Sequence, residues 1–174
     1  MASFCNRRYR EILTSTYSTG KTILMEHCAL ELLKRGENVL FVLFHPNNQQ
    51  GSCKSFLQMK IENTFKNYLS PSPNATYGNI IVMSTKNEED WTWLKKYSDW
   101  NVFIDELIIN GELEKYGKKD GIPTNENNLK DFDTWIDKDK HLWIVISWNM
   151  DRRAKQFIDE TKLPMFHFLK MICI

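Results

Sequence analysis

The sequence has few of the residues that mark a specialised class of protein. Only four cysteines occur among its 174 residues, and no two of them form a Cys-x-x-Cys pair. Scattered cysteines of this kind favour free thiols over a disulfide framework. The four histidines show no metal-binding spacing with one another or with the cysteines, which argues against a zinc site.

Excess charge and long apolar runs are also missing. Lysine and arginine total 23 and aspartate and glutamate total 22, so the net charge is +1. Composition therefore gives no support for binding to nucleic acid or to a membrane surface, since both need an excess of basic residues. The apolar runs fall short of the about 20 residues that a membrane span needs. No apolar segment follows the basic N-terminus, as a secretory signal would require, so we expect an intracellular protein, cytoplasmic or nuclear.

The sequence does contain enough apolar side chains for a buried core. Hydrophobic residues make up 42% of the chain and aromatic residues 13%, which excludes disorder as a description of the whole chain. Most of the tryptophans lie on the apolar side of a helix pattern or within a strand pattern. We therefore favour core packing for them over stacking on nucleic-acid bases. The six are Trp91, Trp93, Trp100, Trp135, Trp143 and Trp148.

Strand and helix patterns alternate along the chain. Apolar runs that predict strands occur at 38–44, 79–84, 102–104, 141–148 and 165–174, whereas the apolar stretch at 11–14 is too short to assign by itself. The run at 38–44 does not alternate, which is typical of a strand buried on both faces. Helical periodicity occurs between these apolar stretches, at 20–35, 52–69, 88–97, 129–137 and 151–161. Strands separated by helical crossovers predict a mostly parallel sheet. We predict one α/β domain over residues 1–174, a three-layer α/β/α sandwich, with a polar insertion at about 110–128.

Apolar stripes predict which faces of the first two helices are buried. Gly36 follows the first stripe and is expected to end that helix as a C-terminal cap. Two prolines, at positions 71 and 73, end the second. The first stripe consists of Ile23, Leu24, Cys28, Leu32 and Leu33, and the second of Phe56, Met59, Phe65 and Leu69.

One stretch has a pattern associated with phosphate binding. Residues 15–22 lie between the first candidate strand and the first helix, and they end in Gly-Lys-Thr. They match the end of the phosphate-binding-loop pattern Gly-x-x-x-x-Gly-Lys-Ser/Thr, in the strand-to-helix context that it requires. Serine stands where the pattern has its first glycine, and a tight turn with positive φ is costlier for serine. The candidate residues are Ser15, Thr16, Tyr17, Ser18, Thr19, Gly20, Lys21 and Thr22.

The last three of these residues have distinct physical tasks. Gly20 lets the backbone come close to phosphate oxygens, and the N–H groups that open the following helix attract an anion. Lys21 supplies positive charge to the β- and γ-phosphates, and the Thr22 hydroxyl can bind Mg²⁺. The competing interpretation is a chance Thr-Gly-Lys-Thr at the start of a helix.

A second stretch, at 102–106, is an apolar strand that ends in two acids. Asp105 at the end of a strand can hold Mg²⁺ through a water molecule, and Glu106 can polarise an attacking water. The competing interpretation is an ordinary strand followed by a solvated acidic turn. The two stretches occur in the order that this chemistry needs, which favours the functional interpretation of both.

With these two motifs, from about residue 11 to residue 171, the chain resembles the P-loop NTPases whose Walker B motif ends in Asp-Glu. This class includes AAA-like ATPases, STAND-type signalling ATPases and superfamily 1 and 2 helicases. The resemblance implies the P-loop NTPase fold. In this fold the Walker B strand follows the P-loop strand in the sheet order, with one intervening strand inserted between them. It implies a domain that binds Mg-ATP and hydrolyses it to drive a conformational or nucleic-acid-motor step. Lys21 and Glu106 would then be catalytic, and Thr22 and Asp105 would bind Mg²⁺.

The resemblance also points to residues near the γ-phosphate. In this class the strand after Walker B ends in a polar sensor residue, and the candidates here are Ser147 and Asn149. Ordinary strand-end or helix-capping roles fit these two equally well. Arg152 or Arg153, at the start of the next helix, would reach a neighbouring subunit's phosphate as an arginine finger. A solvated helix face is the favoured interpretation of this arginine pair.

Several alternatives stay open at this point. Residues 34–42 resemble the P-loop helix and second strand of superfamily 1 helicases, whereas the long insertion suits a signalling ATPase as well. The partner besides ATP is accordingly a nucleic acid or a protein, and a helicase would need a second RecA-like domain. Neither the preference for ATP over other nucleotides nor the oligomeric state follows from the sequence.

Two further functions compete with the ATPase. A non-catalytic interaction or regulatory domain is favoured by Ser15 and by the apolar end of the sequence, which suggests a truncated copy or fragment of a larger ATPase. A small-molecule kinase also has a P-loop, but such enzymes usually lack the Asp-Glu pair and have an arginine-rich lid. No such lid is visible at 110–128, where lysines dominate.

Overall fold

A computed structural model describes residues 9–15, 20–44, 56–69, 76–85, 91–107, 131–147 and 165–167. These residues form six strands, three α-helices and one 3₁₀ helix. In chain order the elements are β1 (Arg10–Ser15), α1 (Lys21–Lys34), β2 (Val39–Phe44), α2 (Phe56–Tyr68), β3 (Ile80–Thr85), the 3₁₀ helix (Trp91–Tyr97), β4 (Asn101–Leu107), α3 (Phe132–Trp135), β5 (Leu142–Ser147) and β6 (Met165–His167).

The six strands form one sheet in the order β3-β2-β4-β5-β1-β6. Every neighbouring pair in this sheet is parallel. Parallel neighbours need crossover connections, and α1, α2, the 3₁₀ helix and α3 each lie between two successive strands. The prediction of an α/β fold with a mostly parallel sheet is therefore confirmed.

Buried side chains cover both faces of the sheet. On one face, apolar residues of α1 and α2, such as Met25 and Phe65, pack with Phe41 and Phe103 of the strands. On the other face, Trp91 of the 3₁₀ helix and residues of α3 pack against the strand side chains of that face, which alternate along each strand with those of the first face. Burial on both faces explains why the strand sequences are continuously apolar rather than alternating.

The 3₁₀ helix and α3 differ from the helices that the sequence predicts. Helical periodicity at 88–97 becomes a 3₁₀ helix, whose period of three residues places Trp91, Leu94 and Tyr97 on one side. The predicted helix at 129–137 contains only the four residues of α3 among those described, because Ile136 adopts an extended conformation that ends it. Phe132 and Ile136 are nevertheless buried, as the pattern predicts.

Three apolar residues of the predicted helix stripes are wrongly assigned to the core. Ile23 of α1 is 69% exposed, and Phe56 and Met59 of α2 are 84% and 50% exposed. The buried face of α2 instead consists of Gln58, Ile61 and Phe65, which recur at helical spacing. Since Gln58 is polar, the apolar pattern alone could not identify that face.

Other predictions of local structure can be compared directly. Gly36 follows α1 with a φ of +79°, in the left-handed region that a C-terminal glycine cap uses. Of the tryptophans, Trp91 and Trp143 are 2% exposed, which confirms core packing for these two.

The insertion at 110–128, the helix at 151–161 and Trp148 lie outside the described residues. None of the described helices is long and apolar enough to cross a membrane.

Candidate nucleotide site

The start of α1 is set by a glycine. Gly20 is the N-cap residue, with a φ of +87° that glycine adopts without strain, and as a glycine it has no side chain with which to cap the helix. The helix begins with a hydrogen bond from the Leu24 N–H to the Gly20 carbonyl, at 3.0 Å. Uncapped N–H groups at a helix start, together with the helix dipole, favour a bound anion.

Lys21 lies at the wrong end of α1 for helix stability. A cation in the first turn is unfavourable because the N-terminal end of the helix dipole is already positive. The first turn contains no acidic residue, whereas Lys34 lies in the last turn, where a cation is favourable. A residue that is unfavourable for its helix is typical of a functional site.

Asp105 is the buried acid of the site, at 1% exposure. It lies near the carboxyl end of β4 and pairs in register with Leu43 of β2. The Thr22 hydroxyl donates a hydrogen bond to Asp105 Oδ2, at 2.6 Å. The contact joins the start of α1 to the end of β4 across 83 positions of sequence.

The carboxyl ends of β1, β5 and β4 lie side by side at this edge of the sheet. The register pairs Ser15 with Ser147, and β5 separates β1 from β4. The register of β4 against β5 shifts between Ile104 and Leu107, which is where the two acids are. Such irregularities often occur beside active sites, because they change the direction of a side chain.

The connections of the sheet place helices on both of its faces. The chain moves outward from β1 through β2 to β3 with α1 and α2 on one face, and then returns through β4 and β5 with the 3₁₀ helix and α3 on the other. In open parallel sheets, ligands bind outside the carboxyl ends of the strands. The first turn of α1 follows the carboxyl end of β1, and Asp105 lies near the carboxyl end of β4.

Glu26 adds a second carboxylate to the surroundings of Asp105. Burial raises the pKa of Glu26 above its ordinary value, Lys60 on α2 opposes this by attraction, and the negative charge of Asp105 adds to it. Glu26 follows Thr22 by one helical turn, so the two side chains lie on the same face of α1.

The donor atoms of Thr22 and Asp105 suit Mg²⁺. A hydroxyl and a carboxylate are hard oxygen donors, and Mg²⁺ is commonly bound through one or two protein groups together with phosphate oxygens and water. Among the residues that the structure describes, no three His, Cys, Asp or Glu side chains form a group that could hold a metal by themselves. The pair therefore fits a cation that arrives with a phosphate ligand.

The structure brings together only some of the predicted site residues. Gly20, Lys21 and Thr22 open α1, and Thr22 contacts Asp105. For Ser15, Glu106 and Ser147 the strand positions are described but not the side chains, so a role for Glu106 opposite Lys21 stays a prediction. Seven predicted residues lie outside the described part of the chain: Thr16, Tyr17, Ser18, Thr19, Asn149, Arg152 and Arg153.

A described cavity lies away from this site. It has a volume of about 590 Å³ and lies between α2 and the edge strand β3. Its lining residues are Glu62, Phe65, Lys66, Leu69, Ile80, Ile81 and Val82.

Comparison of the chain with protein-family models, with curated proteins and with solved structures found no match. Function is therefore inferred from the two motifs and from the geometry around Thr22 and Asp105.

Glu26 and Lys60 are residues of this site that the sequence analysis did not select. The spacing of four residues between Thr22 and Glu26 is a signal that could have found the first, since it predicts a shared helix face. Lys60 lies on α2, and its approach to Glu26 depends on the packing of two helices. No local pattern encodes that packing.

Proposed function

We propose that the chain is a P-loop NTPase domain that binds Mg-ATP at the carboxyl ends of β1, β5 and β4 and hydrolyses it. The observation that carries this proposal is the 2.6 Å hydrogen bond from Thr22 to Asp105. The two residues come from the two motifs that the sequence analysis singled out for the same Mg²⁺. A chance tetrapeptide and an unrelated acidic turn would have no reason to meet.

The surrounding structure supports the proposal in two further ways. The glycine with positive φ at the start of α1 and the lysine beside it are what a phosphate group needs there. The position of β5 between β1 and β4 agrees with the inserted strand that the resemblance implies. The three-layer sandwich of this family is accordingly part of the proposal.

In the proposed reaction, the backbone N–H groups of the first turn of α1 and the side chain of Lys21 bind the phosphates. Thr22 and Asp105 hold Mg²⁺, which when bound neutralises charge on the β- and γ-phosphates. Glu106 orients the attacking water and accepts its proton as the water oxygen bonds to the γ-phosphorus, and the bond from that phosphorus to the β–γ bridging oxygen breaks, which leaves ADP and phosphate. The burial of Asp105 keeps its carboxylate in a fixed position, so little reorganisation is needed when charge develops.

The test compares binding and turnover of ATP in three variants of the full chain. Lys21→Ala should lose both, because the phosphates lose their cation. Glu106→Gln should retain ATP affinity and lose most of the turnover, since general-base catalysis contributes about 10² to 10⁴-fold. Lys34→Ala, a change at an exposed lysine of the same helix, is the matched control and should change neither. Calorimetric titration measures affinity, and phosphate release measures turnover.

Two results would contradict parts of this proposal separately. ATP binding that survives Lys21→Ala would remove the phosphate-binding role of the first turn of α1. Turnover that is unchanged in Glu106→Gln would remove the proposed base. Binding without any turnover in the wild-type chain would support the non-catalytic regulatory domain instead, with Ser15 as the first residue to change to glycine.

A further inference from the structure

Glu26 interacts electrostatically with one charged side chain from each of two neighbouring elements. Asp105 lies on β4, Glu26 on α1 and Lys60 on α2. One helical turn separates Glu26 from Thr22, which corresponds to about 6 Å along the helix axis. Glu26 therefore lies one turn farther into α1 than the hydroxyl that contacts Asp105.

Among the described residues, no hydrogen bond or ion pair gives Glu26 a structural role. Its side chain is half-buried, yet among the described residues it makes no hydrogen bond and no ion pair. Burial and the neighbouring Asp105 both raise its pKa, so the ionised side chain costs stability. A half-buried acid that costs stability beside a candidate site suggests a functional role.

We propose that the negative charge of Glu26 increases the factor by which Mg²⁺ raises the affinity for the nucleotide, and that the positive charge of Lys60 decreases it. The inference rests on the proposed function, because it assigns a regulatory role at the same site. The negative charge of Glu26 adds to that of Asp105 where the cation would lie.

The physical basis is a difference between two bound states. A nucleotide without Mg²⁺ brings only negative charge to the site, and Glu26 repels it. A nucleotide with Mg²⁺ brings a divalent cation next to Thr22 and Asp105, and Glu26 attracts it. Glu26 therefore weakens the first state and strengthens the second, and the positive charge of Lys60 does the reverse. Because Lys60 is exposed, solvent and salt make its effect smaller.

The experiment measures the affinity for ATP by calorimetric titration, once with excess Mg²⁺ and once with EDTA. The ratio of the two dissociation constants gives the Mg²⁺ enhancement. Glu26→Gln should lower this enhancement roughly two- to tenfold, through weaker binding with Mg²⁺ and tighter binding without it. Lys60→Gln should raise the enhancement by a smaller factor. A residue with only a structural role would not shift the two affinities in opposite directions.

Glu31→Gln is the matched control, since Glu31 lies on the same helix and pairs with Lys34 at the surface. It should leave the enhancement unchanged. An unchanged enhancement in Glu26→Gln, with ATP still bound, overturns this inference and leaves the proposed function standing. An equal change in Glu26→Gln and Glu31→Gln also overturns it, because the effect would then be general surface charge. Absence of ATP binding to the wild-type chain overturns both.

Discussion

Arg10, the first residue of β1, contacts several residues between the start of α3 and the start of β5. Its guanidinium donates to Asp133 Oδ1 at 2.8 Å and to the carbonyl oxygens of Asp133, Ile136, Asp137 and Lys140. The segment that joins α3 to β5 is thereby held against the start of β1. Only the planar fork of arginine offers donors in so many directions, and lysine could not replace it.

The partner carboxylate makes this contact sensitive to pH. Burial alone would raise the pKa of Asp133, but hydrogen bonds from Lys138 and Arg10 outweigh it and lower the pKa below its ordinary value. The folded state therefore favours the ionised carboxylate. This contribution to stability is complete above the ordinary pKa of aspartate and is lost as the pH falls through the lowered pKa.

Asp133→Asn should accordingly destabilise the chain near neutral pH by about 1–3 kcal/mol, because a partly buried arginine loses its ionised partner. The difference from wild type should begin to shrink as the pH falls below the ordinary pKa of aspartate, and it should go on shrinking as the wild-type carboxylate is protonated at its lowered pKa. Urea unfolding at a series of pH values measures this. Asp99→Asn, at an exposed carboxylate, is the control. A difference from wild type that stays constant down to pH 2 would contradict the argument.

At the scale of residues, short motifs in the sequence predict Lys21, Thr22 and Asp105 as site residues, and the structure brings Thr22 into contact with Asp105. It did not identify Glu26 as part of the same surroundings, although spacing along α1 contains that information. Lys60 and the Arg10 contacts depend on residues far apart in sequence, and no periodicity encodes them.

At the scale of elements, the edge strand β3 is covered by a side chain of α2. The Asn79 carbonyl faces β2, where it accepts the N–H of Val39, so by alternation the Val82 carbonyl faces away from the sheet. Gln58 donates to that carbonyl at 3.0 Å and accepts the Ser84 hydroxyl at 2.9 Å. The side chain thus occupies a position that a further strand would use.

Gln58→Leu should therefore lower stability by about 1–2 kcal/mol and make the chain associate at high concentration through β3. The edge β3 contains Ile80, Ile81 and Val82 and no charge, so nothing else in the strand opposes pairing. Asn63→Leu adds the same side chain to an exposed position of α2 and is the control. Sedimentation velocity over a range of concentrations measures the association. Equal association of the two variants would show that β3 is not involved.

Gln58 also explains where the sequence prediction of α2 was wrong. The apolar pattern placed Phe56 and Met59 on the buried face, but the helix turns Gln58 inward because the open carbonyl of β3 needs a donor. The existence of α1, α2 and the strands followed from periodicity. The 3₁₀ geometry of 91–97 and the early end of α3 depend on local backbone conformations that periodicity does not fix.

At the scale of the whole molecule, the strand order brings the two motifs to one edge. Parallel strands with crossovers were predictable from the alternation of buried runs and helical stripes, and the structure confirms them. The order β3-β2-β4-β5-β1-β6 was not derivable from those patterns alone, since many orders satisfy the same alternation. It decides that the carboxyl ends of β1 and β4 lie close enough for Thr22 to contact Asp105.

The melting temperature of the purified wild-type chain with millimolar ATP, with Mg²⁺ or with EDTA, tests the proposed nucleotide site. Ligand at about 100 times its dissociation constant stabilises the folded state by about 2.7 kcal/mol. We expect a rise of several degrees with Mg-ATP, most of it lost in EDTA and all of it lost in Asp105→Asn. An unchanged melting temperature of a well-folded sample in both solutions would contradict a nucleotide site between Thr22 and Asp105.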